Sequence, residues 1–301
     1  MISEMIAMIA GRIAYLKRYV RNNSKHITLG KLAREFSPPI IIRLLILIKK
    51  LTTSFQTYSG VYSSFQECRE KNRRLFSKSG DFDNPAYGQA SLQRTKTFLA
   101  SPVWGTLEHV DFIKLLACTS KELGRKGAVA IFDFGGGVGF HYVRCQRYLK
   151  NPQIDYTVFD VPAVVKIGEE FFGDVKDIHF TDKLPTAGIN KFDIIILSSV
   201  LHYIDDYKRL LMDLTVSYRP NILFLGRLPA GDIPDFVTAQ TIPEASFPAH
   251  CFNHEKLKEF CSTLNYAIED VWDGSESFEL VDKGQQYQIP HYKGMILRRI
   301  E

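Results

Sequence analysis

A cluster of glycines between a strand-forming run and a helix-forming run constrains this chain more than any other feature. Ala128 to Phe134 is a short β-branched and aromatic run of the kind that fills a buried parallel strand, and Val138 to Leu149 reads as a helix. Gly135, Gly136, Gly137 and Gly139 lie at the junction. Glycine tolerates positive φ and has no Cβ, so such a turn lets the backbone approach a ligand closely and aims amides from the helix start at it. The spacing then restricts the ligand. A dinucleotide fingerprint has its glycines in the order G-x-G-x-x-G/A. Counted from Gly135 and Gly137, its third position falls on Phe140, whereas the third glycine here comes one place early, at Gly139. A nicotinamide-dependent oxidoreductase is disfavoured on that ground.

The pattern Asp133-x-Gly135-x-Gly137-x-Gly139 resembles the first motif of class I S-adenosylmethionine-dependent methyltransferases. The resemblance implies that Asp133 ends the first strand and that Gly135, Gly136, Gly137 and Gly139 line the methionine part of the cofactor. Two downstream segments agree. Tyr156 to Asp160 is a second strand ending in an acid about twenty residues on, where a carboxylate can accept both ribose hydroxyls. Phe192 to Ser199 is a largely apolar strand ending in small polar residues, at the fourth-strand position of the methyltransferase sheet. Val161, Asp182 after the third strand, and Ser198 complete the expected cofactor contacts. The implied fold is α/β, a doubly wound, seven-stranded, Rossmann-like sheet with an N-terminal helical extension and cap.

Charge and cysteine usage narrow the partners. The chain has 301 residues, 45% of them hydrophobic, and a net charge of +5. Residues 1–50 hold ten Lys or Arg against Glu4 and Glu35, a net +8, which leaves the remainder at −3. A mildly acidic body argues against a nucleic-acid substrate, because a basic cleft beside the active site would be needed to hold phosphates. The five cysteines are widely spread, with no C-x-x-C pair and no Cys/His cluster at metal spacing, so a reduced cytoplasmic protein without a metal site is expected. Glu4 precedes the apolar stretch Met5 to Ala10 and the basic residues follow it, the wrong order for a secretory signal. The most apolar segment, Ile40 to Ile48, contains Arg43 and is far shorter than the roughly twenty residues of a spanning helix.

The organisation expected is a basic helical leader over 1–60, a helical cap and lead-in over 61–124, and the S-adenosylmethionine-binding domain over 125–301. In the leader, Pro38-Pro39 separates two helical pieces. Ile40, Ile41, Leu44, Leu45 and Ile48 either pack on the domain or on a second subunit, giving a homodimer, or form a peripheral anchor at the inner face of the membrane with cations toward anionic lipid. After a turn at Ser59-Gly60, Ser64-x-x-Glu67 is a capping box that starts a helix, Leu92 to Ala100 is another, and Trp104 is a packing anchor. Past the glycine turn, Pro162 opens a helix and Asn253 caps one, and Tyr266–Trp272 with Lys293–Arg299 form the closing antiparallel pair. A long segment joins strand five, Asn221 to Gly226, to that last helix.

A closer resemblance is carried by Ser198-Ser199-Val200-Leu201-His202-Tyr203-Ile204, Asp160-Val161-Pro162, Phe236 to Pro243, Pro38-Pro39 and Tyr62-Ser63-Ser64-Phe65. These are similar to a bacterial family of methyltransferases found in surface-polysaccharide gene clusters, and they imply a sugar, glycan or other small hydroxylated acceptor. An alcohol must lose its proton as the C–O bond forms, and a histidine with a pKa near neutrality suits that task. His202, just after the fourth strand at the carboxyl edge of the sheet, is the first candidate for base or acceptor contact, and His250, on the long segment, is the second. Asp182 is an alternative base. His141 reads as a helix-end contact, and Tyr203 and Tyr292 as pocket walls. The competing reading is a cofactor-binding subunit or scaffold without transferase chemistry.

Overall fold

The computed structural model describes residues 57–79, 81–100, 110–188, 191–280 and 287–300. The expectations placed on the leader before residue 57 and on Trp104 lie outside the described residues. The chain divides into Met1–Phe55 and a compact unit, Gln56–Glu301, that holds every described element. That unit opens with β1 (Thr57–Tyr62), α1 (Phe65–Lys71), α2 (Arg73–Ser79) and α3 (Pro85–Ala100). There follow α4 (Val110–Lys126), β2 (Val129–Phe134), α5 (Phe140–Tyr148), β3 (Ile154–Phe159), α6 (Pro162–Phe172), β4 (Ile178–Thr181) and β5 (Ile194–Ser198). A 3-10 turn (Leu201–Tyr203) leads to α7 (Tyr207–Tyr218), β6 (Ile222–Leu228), β7 (Ala230–Gly231), β8 (Phe236–Thr241) and β9 (Ser246–Asn253). The chain closes with α8 (His254–Ser262), β10 (Tyr266–Asp273), β11 (Phe278–Glu279), β12 (Gln288–Ile289) and β13 (Lys293–Arg299).

The main sheet has seven strands in the order β10-β13-β6-β5-β2-β3-β4. The five strands β2 to β6 pair in parallel, and β13 and β10 close the edge antiparallel, which is the doubly wound fold expected from the sequence. Helices cover both faces, so successive strand residues fall into two apolar cores by the period of two. Ile131, Tyr156, Ile194, Ile196 and Phe224 pack on one side, and Phe132, Ile195, Leu197, Leu223 and Leu225 on the other. Each such side chain, fully removed from water, contributes about 1.5–3 kcal/mol. The helix starts follow local chemistry. The Ser64 hydroxyl accepts from the Glu67 amide, and Glu67 reaches back to the Ser63 amide, one residue further than the usual box. Pro162 stands at the first turn of α6, and the Asn253 side chain accepts from the Lys256 amide.

A second, four-stranded sheet, β1-β8-β9-β7, corrects two expectations. Ser59 and Gly60 lie within β1 and not in a turn ahead of it; Gly60 has φ +76°, and the pairing slips between Ser59 and Tyr62. The long segment after β6 is an antiparallel hairpin of β8 and β9. Its strands were illegible because Phe236 to Gln240 are all buried, so no apolar–polar alternation remains, and because Pro248 sits inside β9, where proline argues against a strand. No helix among the described residues is long and apolar enough to cross a membrane. All five cysteines are free and buried.

Candidate active site

Strand order reverses about β2: the chain passes from β2 outward through β3 to β4, then crosses back to β5 on the other flank. In such sheets the ligand crevice lies at the carboxyl ends of the two strands at the reversal. The glycine turn follows one of them and Ser199 to Tyr203 follows the other. The two segments touch, since a Cβ on Gly135 would come within 2.6 Å of Val200 Cγ2. Gly135, Gly137 and Gly139 have φ of +72°, +59° and +63°, conformations that disfavour any other residue. Ser199 adopts φ +59° without being glycine, and Arg227 on β6 adopts +54°, so strain of order 1–3 kcal/mol per residue is held along this edge.

Asp133 lies behind the turn, 1% exposed, in the space a side chain on Gly136 would need. Its Oδ2 accepts the Tyr156 hydroxyl at 2.7 Å and stands 3.2 Å from His141 Nδ1. Its geometry is that of a support for the turn. Helix α3 lies across the front. Ser91 Oγ accepts the Val138 amide at 2.9 Å, and Thr95, one turn on, donates to the Val138 carbonyl at 2.8 Å. Asp160 follows β3 and is buried; Oδ2 accepts the Gly137 amide and Oδ1 the Val161 amide, both at 2.8 Å. Burial, outweighing those two bonds, pushes its carboxyl up to about 6. Ser198 ends β5, its hydroxyl 3.1 Å from where a Gly226 Cβ would stand, and Asp182 is exposed on the turn after β4.

Across the crevice stand polar groups that burial keeps neutral, His202 and the tyrosines. His202 is 2% exposed, its Nδ1 has no hydrogen-bond partner among the described residues, and burial lowers its pKa to about 3. His250 is placed on β9 by the hairpin, with Nε2 3.0 Å from the Asp205 carbonyl and its ring 4.6 Å from that of Phe65. It braces the turn before α7. The Tyr58 and Tyr292 hydroxyls bond to each other at 2.7 Å, and burial drives both pKa values up, as it does that of Tyr203. Phe82 stacks on Phe247 with ring centroids 4.0 Å apart, and Tyr203 lies 4.7–4.9 Å from both. These three rings line a cleft of about 340 Å³ with Arg69, Phe76 and Asp81.

Residues 94–221, which contain the glycine turn, Asp160 and His202, match the family model of the O-methyltransferase domain. The chain carries an S-adenosylmethionine-dependent methyltransferase domain. No curated protein matches the chain. Among solved structures it is similar to the 1,6-didemethyltoxoflavin N1-methyltransferase of Burkholderia thailandensis, crystallised with 1,6-didemethyltoxoflavin and S-adenosylhomocysteine. That match has 15% identity, covers 83% of this chain and 98% of that one, and has a TM-score of 0.48. It is also similar to an O-methyltransferase family 2 protein from Planctomyces limnophilus in complex with apigenin, at 20% identity over 58% of this chain and 51% of that one, with a TM-score of 0.40.

S-adenosylmethionine is the methyl donor of this methyltransferase. The chemistry of the Asp160 carboxylate fits its ribose: two oxygens carry about four lone-pair positions, the two amides take one on each, and one on each remains for a hydroxyl. The structure brings Asp133, Asp160, Val161 and the four glycines together on one side of the crevice and His202 and Tyr203 on the other; Asp182 is exposed and follows Thr181, whose carbonyl accepts the Asp160 amide at 3.1 Å. Sequence reasoning missed Ser91 and Thr95, whose one trace is their spacing of four on a helix. It also missed the pairing of Tyr58 with Gln240, which only strand register sets.

Proposed function

We propose that the chain methylates an oxygen of a small, neutral, hydroxylated acceptor, a sugar or glycan among them. The observation that carries the reading is His202: a buried neutral imidazole with an uncommitted Nδ1, two residues beyond the Val200 that packs on the glycine turn. S-adenosylmethionine, when bound, supplies an electrophilic methyl group on a sulfonium. Asp160 and the glycine turn hold and orient it, and the cover of α3 excludes water. With its proton on Nε2, His202 accepts the acceptor's hydroxyl proton at Nδ1 as the C–O bond forms; burial makes it a weaker base than the near-neutral histidine expected from the sequence, so alignment carries the larger part of the catalysis. The rings of Phe82, Phe247 and Tyr203 suit the apolar faces of a sugar ring.

The basic residues 1–50, with net charge +8, are the segment that would bring this activity to an anionic membrane surface. Sedimentation with anionic vesicles at low and high salt tests that role. Mass spectrometry of cell-surface glycans with and without the gene should show a gain of one methyl group. Unchanged glycans, together with no release of S-adenosylhomocysteine on any hydroxylated acceptor in vitro, would remove the reading.

A further inference from the structure

We propose that Gln240 recognises the acceptor, its carboxamide reading a vicinal diol on a neutral ring, one of whose two hydroxyls receives the methyl group. This rests on the O-methylation reading above. Gln240 is 0% exposed, and neither Oε1 nor Nε2 has a hydrogen-bond partner among the described residues. Leaving such a group buried and unpaired destabilises the fold unless a ligand completes it. Its neighbour on the same face of β8, Thr238, is satisfied by the Ser59 carbonyl. The fold therefore holds this one carboxamide dry and uncommitted.

Strand register aims it. Tyr58 on β1 and Phe247 on β9 pair directly with Gln240, so the three side chains share one face of the second sheet. Tyr203 of the 3-10 turn stands against that face, its ring 4.7 Å from Phe247. The carboxamide is near enough to the Tyr203 hydroxyl to work against the burial that raises its pKa, yet outside bonding geometry. Gln240 thus faces the segment that carries His202, one residue away.

The lining selects the ligand. A carboxamide presents an acceptor and a donor side by side, and two adjacent hydroxyls present the match, one donating to Oε1 and the other accepting from Nε2. A carboxylate or phosphate has no donor to give and an ammonium no acceptor. The surrounding tyrosines and His202 are neutral, Arg227 is held by Glu276 at 2.7 Å, and the two charges lining the cleft with Tyr203 and Phe247, Arg69 and Asp81, are of opposite sign, so the lining carries no net charge to match an ionic acceptor. Aromatic faces at Tyr203 and Phe247 cover a ring. Sugars with neighbouring hydroxyls and catechols share this chemistry. Methylating one hydroxyl removes its donor, which weakens the product relative to the acceptor.

The test uses the full chain saturated with S-adenosylhomocysteine and calorimetric titration of two diols, catechol and methyl α-D-mannopyranoside. Their singly blocked counterparts are guaiacol and the 2-deoxy glycoside. At least one diol should bind about tenfold or more tightly than its counterpart, and Gln240→Leu should abolish the difference while leaving S-adenosylhomocysteine affinity unchanged. The free Gln240→Leu protein should also melt about 2–4 °C higher, because an unpaired buried carboxamide is replaced by an apolar side chain of similar size. A lower melting point would make Gln240 structural and overturn the proposal. So would equal binding of diol and counterpart, no binding of either diol, or discrimination that survives in Gln240→Leu. Diol binding with discrimination but no methylation would leave this proposal standing and remove the O-methylation reading; methylation without Gln240 dependence would do the reverse.

Discussion

The carboxylate of Asp160 accepts the backbone amide of Gly137 at 2.8 Å, tying the end of β3 to the turn that follows β2. Because the carboxylate is buried, its pKa rises from 3.8 to about 6. Ribose hydroxyls donate to the ionised form, so S-adenosylhomocysteine affinity should fall as pH drops below about 6. The same shift makes the ionised carboxylate a burden on the fold above about pH 6, relieved between 6 and 3.8 as the native state takes up its proton first. Titration calorimetry from pH 5 to 8 should show the affinity change in the wild type and not in Asp160→Asn. A flat wild-type profile would remove Asp160 from the ribose site.

His202 should remain neutral across the physiological range. Its pKa is about 3 in the fold against 6.5 when unfolded, so the stability it confers is present above 6.5 and is lost as pH falls toward 3. Imidazole NMR should show no titration of His202 between pH 5 and 8. His202→Ala should lower turnover by about a hundredfold with cofactor affinity unchanged, because a base acts only in the transition state. A loss of only a few-fold would leave alignment to carry the reaction.

Helix α3 should prove inseparable from the glycine turn. Gly137→Ala needs φ +59° and brings a Cβ within 2.5 Å of Ser91 Oγ, so Ser91→Gly should recover part of its stability loss but not the backbone strain. Thr95→Val leaves the Val138 carbonyl without its donor and should cost about 1–3 kcal/mol in urea unfolding. Independent effects of Gly137→Ala and Ser91→Gly in a double-mutant cycle would contradict the contact.

His250 should reveal itself as a brace. His250→Phe keeps a ring against Phe65, Tyr207 and Phe252 but loses the bond to the Asp205 carbonyl, so stability should fall by about 0.5–1.5 kcal/mol with S-adenosylhomocysteine affinity intact. A raised acceptor KM at undiminished stability would return it to the acceptor site.

The parallel sheet and its glycine turn were legible because their signals are local. An unbroken apolar run such as Ile194 to Leu197 reports burial on both faces, and a glycine turn between strand and helix reports a close approach whatever surrounds it. The second sheet was not legible, because the burial of both faces of β8 erased the alternation that marks a strand and Pro248 contradicted the strand that β9 forms. Asp133 shows the limit of a motif. Its identity was expected, yet its place behind Gly136, bonded to Tyr156 twenty-three residues away, depends on the pairing of β2 with β3.

By itself the sequence determined the order of strands and helices in the main sheet, the glycine turn after β2, and the acid that follows β3, since each follows from residues within one or two turns of chain. Only the tertiary structure decided which polar groups meet across the crevice. Tyr58 and Gln240 are 182 residues apart and face each other through strand register. Tyr58 and Tyr292, which bond through their hydroxyls, are separated by 234 residues. No local pattern encodes such a meeting, because it is set by how two sheets close on one another and by which side chains that closure leaves dry.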